Sequence, residues 1–332
     1  MPTSLAVDNL RPSALHAFIG QARLKTVLKI AIDGANARNE PVGHSLFVGP
    51  PGLGKTTLAN IISEETRKPL IMTSGTTLTK ITGLATILNQ IPPAGAVVFI
   101  DEIHRLPRAM EEALYSCMED YRLDVTTDKM HINLHLPKFT LCGATTRQGL
   151  LTKPMRDRFR DHYQLDWYSE EELSLIVKRS SKILQTDIAD DAAAAIASRC
   201  KRTPRLANNL MLKSRDFAEA QGIPGMVNLA CVLGMFEALE IDNLGLERID
   251  RTILETIIDK FHGGPVGVDT LAATLVEEPD VLERVHEPYL MQAGLLERTA
   301  RGRVVTRAAY THLGRPLPGT GPFGPGRFDA NY

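Results

Sequence analysis

Apolar positions before residue 45 recur at three- and four-residue steps: Leu24, Val27, Leu28, Ile30 and Ala31 share one face of a predicted helix. Beyond that point the pattern changes. Short apolar runs at Ser45–Val48, Pro69–Thr73, Ala96–Ile100 and Phe139–Ala144 alternate with helix-length stretches. Bounded runs of this kind suit strands covered on both faces, as in a parallel sheet, with the intervening segments as crossover helices. The alternation predicts an α/β fold. From Ser169 to about Glu240 the texture is helical throughout, and Asp190 and Asp191 place carboxylates where a helix N-terminus favours them. Gln221–Gly225 breaks that pattern with two glycines and a proline. After Asp250 come two or three helices, then a stretch from Gly294 to Thr306 that reads as two strands around an Arg301-Gly302 turn. Gly314–Tyr332, rich in Pro and Gly, reads as a disordered tail.

A length of 332 residues calls for two or three domains. No apolar run approaches the roughly 20 residues that span a bilayer, and Met1–Arg11 carries no signal segment, so neither membrane insertion nor export is expected. Cys117, Cys142, Cys200 and Cys231 lack the paired spacing of a zinc site and read as reduced thiols of a cytoplasmic protein. The formal net charge is -1, so any nucleic-acid partner must be met by a local basic patch or through an accessory protein.

The chemistry enters at Gly49-Pro-Pro-Gly-Leu-Gly54-Lys55-Thr56, which matches G-x-x-x-x-G-K-[ST] between a predicted strand and a predicted helix. Glycines let backbone N–H groups curl around phosphate oxygens, and the following helix offers its positive end. Lys55 suits the β- and γ-phosphates of ATP or ADP, and Thr56 suits Mg²⁺. Val97–Glu102 is the second half of such a site. An apolar strand delivers Asp101, a candidate Mg²⁺ ligand, and Glu102, a candidate base for the attacking water, to its C-terminal end. Thr145-Thr146 closes a further strand where a hydroxyl could sense the γ-phosphate. Arg156 and Arg158 fall on a predicted short helix after Pro154, and Arg205 sits at a helix start, where a cation is favoured only beside an anion.

These motifs extend into a resemblance. Leu10-Arg-Pro, Ile19-Gly-Gln21, Gly49–Asn60, Phe99–Leu106, Met118–Tyr121, Gly143–Arg147, Arg156–Phe159, Thr203-Pro-Arg205, Arg215–Glu219, Ile258–Phe261, Gly263–Gly267, Glu287–Leu290 and Arg301-Gly-Arg303 together resemble the RuvB family of Holliday-junction branch-migration motors over nearly all of residues 9–314. The resemblance implies an AAA+ nucleotide-binding core over 1–167, a helical lid over 168–241 and a C-terminal winged-helix domain over 242–314. It implies Thr146 as the sensor residue, Arg158 as an arginine finger serving a neighbouring subunit, and Arg205, beside Pro204, as the lid arginine. Leu10, Arg11, Phe18, Ile19 and Tyr168 would line the adenine pocket above Gly49, Gly52, Leu53, Gly54 and Thr57. Arg298, Arg301 and Arg303 on the wing would touch the DNA backbone, and arginines flanking a hairpin turn suit that task independently. Implied partners are the duplex arms of a four-way junction, five further copies in a homohexamer, a RuvA-like junction binder and a RuvC-like resolvase.

The chain also departs from that family. Its segment Asp124–Leu136, where the family docks RuvA, is a shorter hairpin in which Met130, Ile132, Leu134 and Leu136 alternate as a strand should. Arg160 and Arg202 stand where the family has glycine, so the backbone beside Arg158 and Arg205 is expected to differ. Three other readings compete: a replication initiator or clamp loader, a helicase of another superfamily suggested by Asp101-Glu-Ile-His104, and a DNA-binding adaptor with structural nucleotide. The Gly263–Gly267 and Glu287–Leu290 stretches argue against the initiator. Arg205 and the Arg158 helix have no role in the second, and intact Glu102 and Arg158 count against the third.

Overall fold

The computed structural model describes residues 10–127 and 130–317. The chain forms two compact units, one comprising residues up to Leu184 together with Arg202–Asn209, the other comprising Gln185–Lys201 and the chain from Leu210 onward.

The first unit is built on a parallel sheet. Its strands are β1 (Ser45–Val48), β2 (Leu70–Ser74), β3 (Val97–Asp101), β6 (Thr140–Thr145) and β7 (Asp161–Gln164), in the spatial order β2-β3-β6-β1-β7. The predicted α/β class is therefore observed. Central strands need cover on both faces, and Val97, Val98, Phe99 and Ile100 are all at most 1% exposed. Helices Lys55–Thr66, Ile81–Leu88 and Arg108–Glu119 connect the strands. Leu84, Leu88, Met110 and Leu114 pack with Leu46, Val98 and Ile100 in one buried cluster.

The apolar runs mark the strands to within one residue, with β2, β3 and β6 each ending one position further on than the runs do. β7 has no such run. As an edge strand it buries one side chain in four, Tyr163, which stacks on Phe47 with ring centroids 5.4 Å apart. An antiparallel hairpin, β4 (Arg122–Thr127) with β5 (Met130–His135), is inserted before β6, in register from Arg122 opposite His135 to Thr127 opposite Met130. Leu123 and Leu136 are buried at its base. The side chains of Met130 and Ile132 lie outside the described residues.

The helix after the phosphate-loop motif begins at Lys55, three residues before the apolar pattern starts. The short helix Lys153–Asp157 includes Pro154 in its first turn, so Arg158 lies just past its end and not on it. Helix Glu170–Ile183 opens with a reciprocal cap. The Ser169 hydroxyl accepts from the Glu172 N–H at 3.2 Å, and the Glu172 carboxylate accepts from the Ser169 N–H at 3.0 Å.

The second unit holds helices Asp190–Arg199, Leu229–Ala238, Arg248–Phe261 and Val268–Leu275 and the antiparallel hairpin β10 (Leu296–Thr299) with β11 (Gly302–Val305). It corrects one expectation: the 169–240 region is not purely helical. Strands β8 (Asp187–Ile188) and β9 (Met226–Val227) pair in parallel there, and two-residue strands are too short to leave a periodic signal. The core is built from Ile253, Leu254, Ile257, Leu271, Leu290 and Val305, among others. Asp250, 1% exposed, accepts from Lys201 Nζ at 2.5 Å and lies 2.8 Å from His286 Nδ1. Burial would raise the Asp250 carboxyl, but these two partners hold it below the usual carboxylate range.

A second correction concerns the wing. Arg303 is only 5% exposed, and its guanidinium is committed inside the fold. Its Nε donates to Glu287 at 2.7 Å and its Nη2 donates to Glu283 at 2.7 Å. A buried guanidinium is tolerated only when paired in this way. Arg298 sits directly across the hairpin from Arg303, and Glu283 also meets Arg298 at 3.0 Å, so one carboxylate separates two facing cations. Arg301 at the turn is exposed. All four cysteines are buried and unpaired with one another. The tail from residue 318 lies outside the described residues.

Arg303→Ala leaves two carboxylates facing the emptied position and is expected to cost about 3–5 kcal/mol of folding stability. Arg301→Ala should stay within about 0.5 kcal/mol of the parent. Denaturant midpoints of the two variants check the contrast.

Candidate nucleotide site

The strand order puts three segments side by side. β6 lies between β3 and β1, so the C-terminal ends of these strands bring the 49–54 loop, Asp101-Glu102 and Thr145-Thr146 to one edge of the sheet. Ligands of open α/β sheets bind at that edge. The loop is tied to its neighbour where the Gly49 N–H donates to the Thr145 carbonyl at 3.1 Å. Gly52 and Gly54 have φ of 84° and 106°, a region that side-chain-bearing residues rarely enter. They let the loop wrap its N–H groups over the start of the helix at Lys55.

Lys55 is 7% exposed, and its ammonium donates to the carbonyls of Gly49 at 2.7 Å and Pro50 at 2.8 Å. Burial lowers the amine to about 8, against the pull of Asp101 and Glu102, and nearby Arg205 lowers it further. The Asp101 carboxylate accepts from the Glu102 N–H at 2.9 Å.

A cavity extends from the loop and collects most of the residues singled out in the sequence. Its loop end is lined by Gly52, Leu53, Gly54, Lys55, Thr56 and Thr57, and Asp101 and Glu102 line it as well. Its apolar end is formed by Leu10, Arg11, Phe18, Ile19 and Tyr168, and Pro204 and Arg205 complete the wall. The Tyr168 hydroxyl donates to the Leu53 carbonyl at 3.2 Å, and burial raises its phenol well above the ordinary value. The Arg205 N–H donates to the Gly52 carbonyl at 3.4 Å. Gly49 lies beneath the loop, holding Lys55 and not lining the cavity.

Pro12, Pro51, Ile176, Arg179 and Asn208 also line the cavity and were missed. Arg179 donates to the carbonyls of Ala17, at 3.1 Å, and Leu10, tying the segment that forms the apolar end. A signal for it existed. Three residues after Ile176, it is a cation on the buried face of helix Glu170–Ile183.

Two expected site residues lie outside this cavity. The Thr146 hydroxyl is buried and accepts or donates no hydrogen bond among the described residues. The Arg158 guanidinium lies 4.2 Å over the Tyr115 ring, 3.2 Å from Glu119, and donates to the Pro154 carbonyl at 2.9 Å. Of the two arginines replacing the family glycine, Arg202 adopts φ 53°, the conformation glycine would take easily. Arg160 does not; its side chain packs over Gly43.

Comparison with known proteins decides the family. Residues 10–165 match the family model of the Holliday junction DNA helicase RuvB P-loop domain, residues 168–242 the RuvB AAA lid domain, and residues 243–314 the RuvB C-terminal winged helix domain. The chain belongs to the RuvB family. It is 48% identical over 314 residues to the Holliday junction branch migration complex subunit RuvB of Chloroflexus aggregans, covering 93% of this chain and 89% of that protein. The Thermotoga maritima RuvB Holliday junction branch migration motor superposes with a TM-score of 0.86 at 45% identity, over 93% of this chain and 100% of that one. A point variant of the T. maritima protein gives 0.87 at 46% identity, over 93% and 99%. The chain is thus a RuvB-family P-loop ATPase, and the initiator, other-superfamily and adaptor readings give way.

A phosphate beside Lys55 raises its pKa from about 8, so nucleotide binding takes up a proton above that pH. ATP affinity measured between pH 7 and 9.5 is therefore expected to fall as pH rises through 8, by up to about tenfold per unit. Lys55→Arg, charged throughout, should flatten that dependence.

Proposed function

We propose that this chain is an ATP-driven motor that moves duplex DNA in the branch migration of four-way junctions, working as a homohexameric ring in the cytoplasm, alongside a RuvA-like junction binder and a RuvC-like resolvase. The observation that carries the reading is the succession, along one chain, of a P-loop domain, a lid and a winged helix, each matching its RuvB counterpart. We divide it as 1–167, 168–241 and 242–314.

In this reading Lys55 and the loop N–H groups hold the β- and γ-phosphates. Thr56 and Asp101 would hold Mg²⁺. A hydroxyl and one carboxylate fit that ion, which keeps most of its shell as water and phosphate oxygen. Among the described residues no cluster of three metal-binding side chains competes with this pair. When bound, the ion would neutralise charge developing on the phosphates. Glu102 orients the attacking water and Thr146 reads the γ-phosphate with its uncommitted hydroxyl.

Arg158, outside its own cavity, serves the site of the adjacent subunit. A finger supplied in trans is worth roughly 10³–10⁵ in rate, which makes hydrolysis depend on assembly. Arg298 and Arg301 meet DNA phosphates, Arg303 being committed to Glu283 and Glu287. The hairpin 122–135 is the surface offered to RuvA.

The deciding experiment is ATP-dependent dissociation of a synthetic four-way junction, with and without RuvA. Dissociation that requires RuvA, and is abolished by Glu102→Gln, is the expected result. ATPase activity without dissociation would assign the motor another DNA substrate. Arg158→Ala should retain ATP affinity and lose turnover by about 10³-fold or more; unchanged turnover would remove it from the trans site. Arg301→Ala should reduce the salt dependence of DNA binding by about one ion.

A further inference from the structure

We infer that His104 is a positioning residue that connects the end of β6 to the Glu102 carboxylate, so that the sensor segment controls where that carboxylate points. The inference rests on Glu102 acting on the attacking water, as proposed above.

The backbone of Glu102 is clamped. Its φ is 47°, a left-handed conformation that costs about 1 kcal/mol or more and persists only where surroundings enforce it. Its N–H is held by the Asp101 carboxylate, and its carbonyl accepts from the Arg105 N–H at 2.8 Å. On the opposite side the Gly75 N–H donates to the Asp101 carbonyl at 2.8 Å. A Cβ on Gly75 would lie 2.4 Å from the Glu102 carbonyl oxygen, so only glycine permits this approach. With the backbone fixed, the carboxylate is aimed by what its side chain meets.

It meets His104. The imidazole is 1% exposed, with Nε2 3.3 Å from the Glu102 carboxylate. Its other nitrogen, Nδ1, lies 2.9 Å from the Thr145 hydroxyl, which accepts from the Arg147 N–H at 2.9 Å. A neutral imidazole turns its N–H and not its lone pair to a carboxylate, which assigns the proton to Nε2. Nδ1 is then an acceptor and the Thr145 hydroxyl its donor. Donation therefore runs one way, from the Arg147 N–H to Thr145, from Thr145 to His104, and from His104 toward Glu102. Such chains polarise cooperatively in a buried site.

The two ends differ in strength. The Thr145 contact has hydrogen-bond geometry, whereas the approach to Glu102 is a longer electrostatic contact without a hydrogen bond's alignment. The contact to Glu102 is thus the weaker link of the two. Thr146 sits between Thr145 and Arg147, so a displacement of this segment by a γ-phosphate is carried by His104 to Glu102.

Thr145 offers a handle that touches neither the nucleotide cavity nor Glu102. Thr145→Val keeps the shape and removes the hydroxyl, Thr145→Ser keeps the hydroxyl, and His104→Asn retains an acceptor for Thr145 but is too short to reach Glu102. Single-turnover ATP hydrolysis and ATP affinity are measured for each, with Glu102→Gln alongside and a thermal midpoint confirming the fold. Thr145→Val and His104→Asn are expected to lower turnover about tenfold or more, the usual scale for groups that orient a reacting side chain. Affinity should stay within about twofold, Thr145→Ser should restore turnover, and the double variant should be no slower than the worse single one. Wild-type turnover in both single variants while Glu102→Gln is inactive would overturn the inference. So would a loss of affinity matching the loss of turnover, or multiplicative effects in the double variant. Wild-type turnover in Glu102→Gln would instead refute the role given to Glu102. His104→Gln keeps an N–H at the Nε2 position but loses the acceptor for Thr145, and decides the matter if His104→Asn does not fold: loss of turnover equal to that of Thr145→Val with intact affinity supports the link through His104, and wild-type turnover overturns it.

Discussion

The register of the three central strands is the constraint on which everything else in the first unit depends. β1, β6 and β3 run parallel with Val48 beside Thr145 and Ile100 beside Gly143. A one-residue slip would turn every buried side chain of a strand to its other face. The register therefore follows from the need to bury Leu46, Val98 and Leu141 on one side and Phe47 and Phe99 on the other. Its by-product is that the polar residues ending each strand share one edge. The phosphate loop, the carboxylate pair and the threonines are brought together by core packing and need no direct attraction among themselves, which matters because two carboxylates and two cations are crowded there.

That crowding has a consistent electrostatic logic. Lys55 is buried against Gly49 and Pro50 carbonyls near Asp101, Glu102 and Arg205. Its amine is depressed because burial outweighs the two carboxylates. A phosphate anion supplies the missing negative charge, so the cost of burying the cation is recovered only when nucleotide is present. The same principle works in the opposite sense in the second unit. There Arg303 and Asp250 are charged, buried and fully paired within the fold. Buried charge is structural where its partners are built in and functional where a partner is left to come from outside.

This distinction explains what could be read from the residues. The loop at Gly49–Thr56 and the pair Asp101-Glu102 are legible because their chemistry demands fixed spacing and because flanking apolar runs betray the strands. Ser45–Val48 is readable to the residue since all four side chains are buried. β7 and the β8–β9 pair are not, because an edge strand or a two-residue strand leaves no periodic trace. Arg303 departs from the expectation because a place beside a hairpin turn does not say which face of the hairpin is covered. Glu283 and Glu287, whose carboxylates bury it, come from a helical segment 16–20 residues earlier. Arg179 escaped for the opposite reason: an arginine in an amphipathic helix reads as solvated unless its position on the apolar stripe is weighed.

The withdrawal of Arg303 from the wing surface bears on how a chain of net charge -1 would grip DNA. Of the three wing arginines one is buried and one shares Glu283, so a single subunit offers little unpaired positive charge at that tip. Phosphate contacts add per subunit, and in a closed ring the duplex meets several tips at once, raising effective concentration without strengthening any single contact. Weak individual contacts also release easily, which a motor that must step along DNA requires. As the proposed finger, Arg158 would impose a parallel dependence at the nucleotide site, since it lies outside the cavity of its own chain. In the proposed motor, grip on DNA and hydrolysis of ATP are both incomplete in one subunit and completed by neighbours. Assembly is then the condition that couples them, with no signal required to pass between the two activities within an isolated chain.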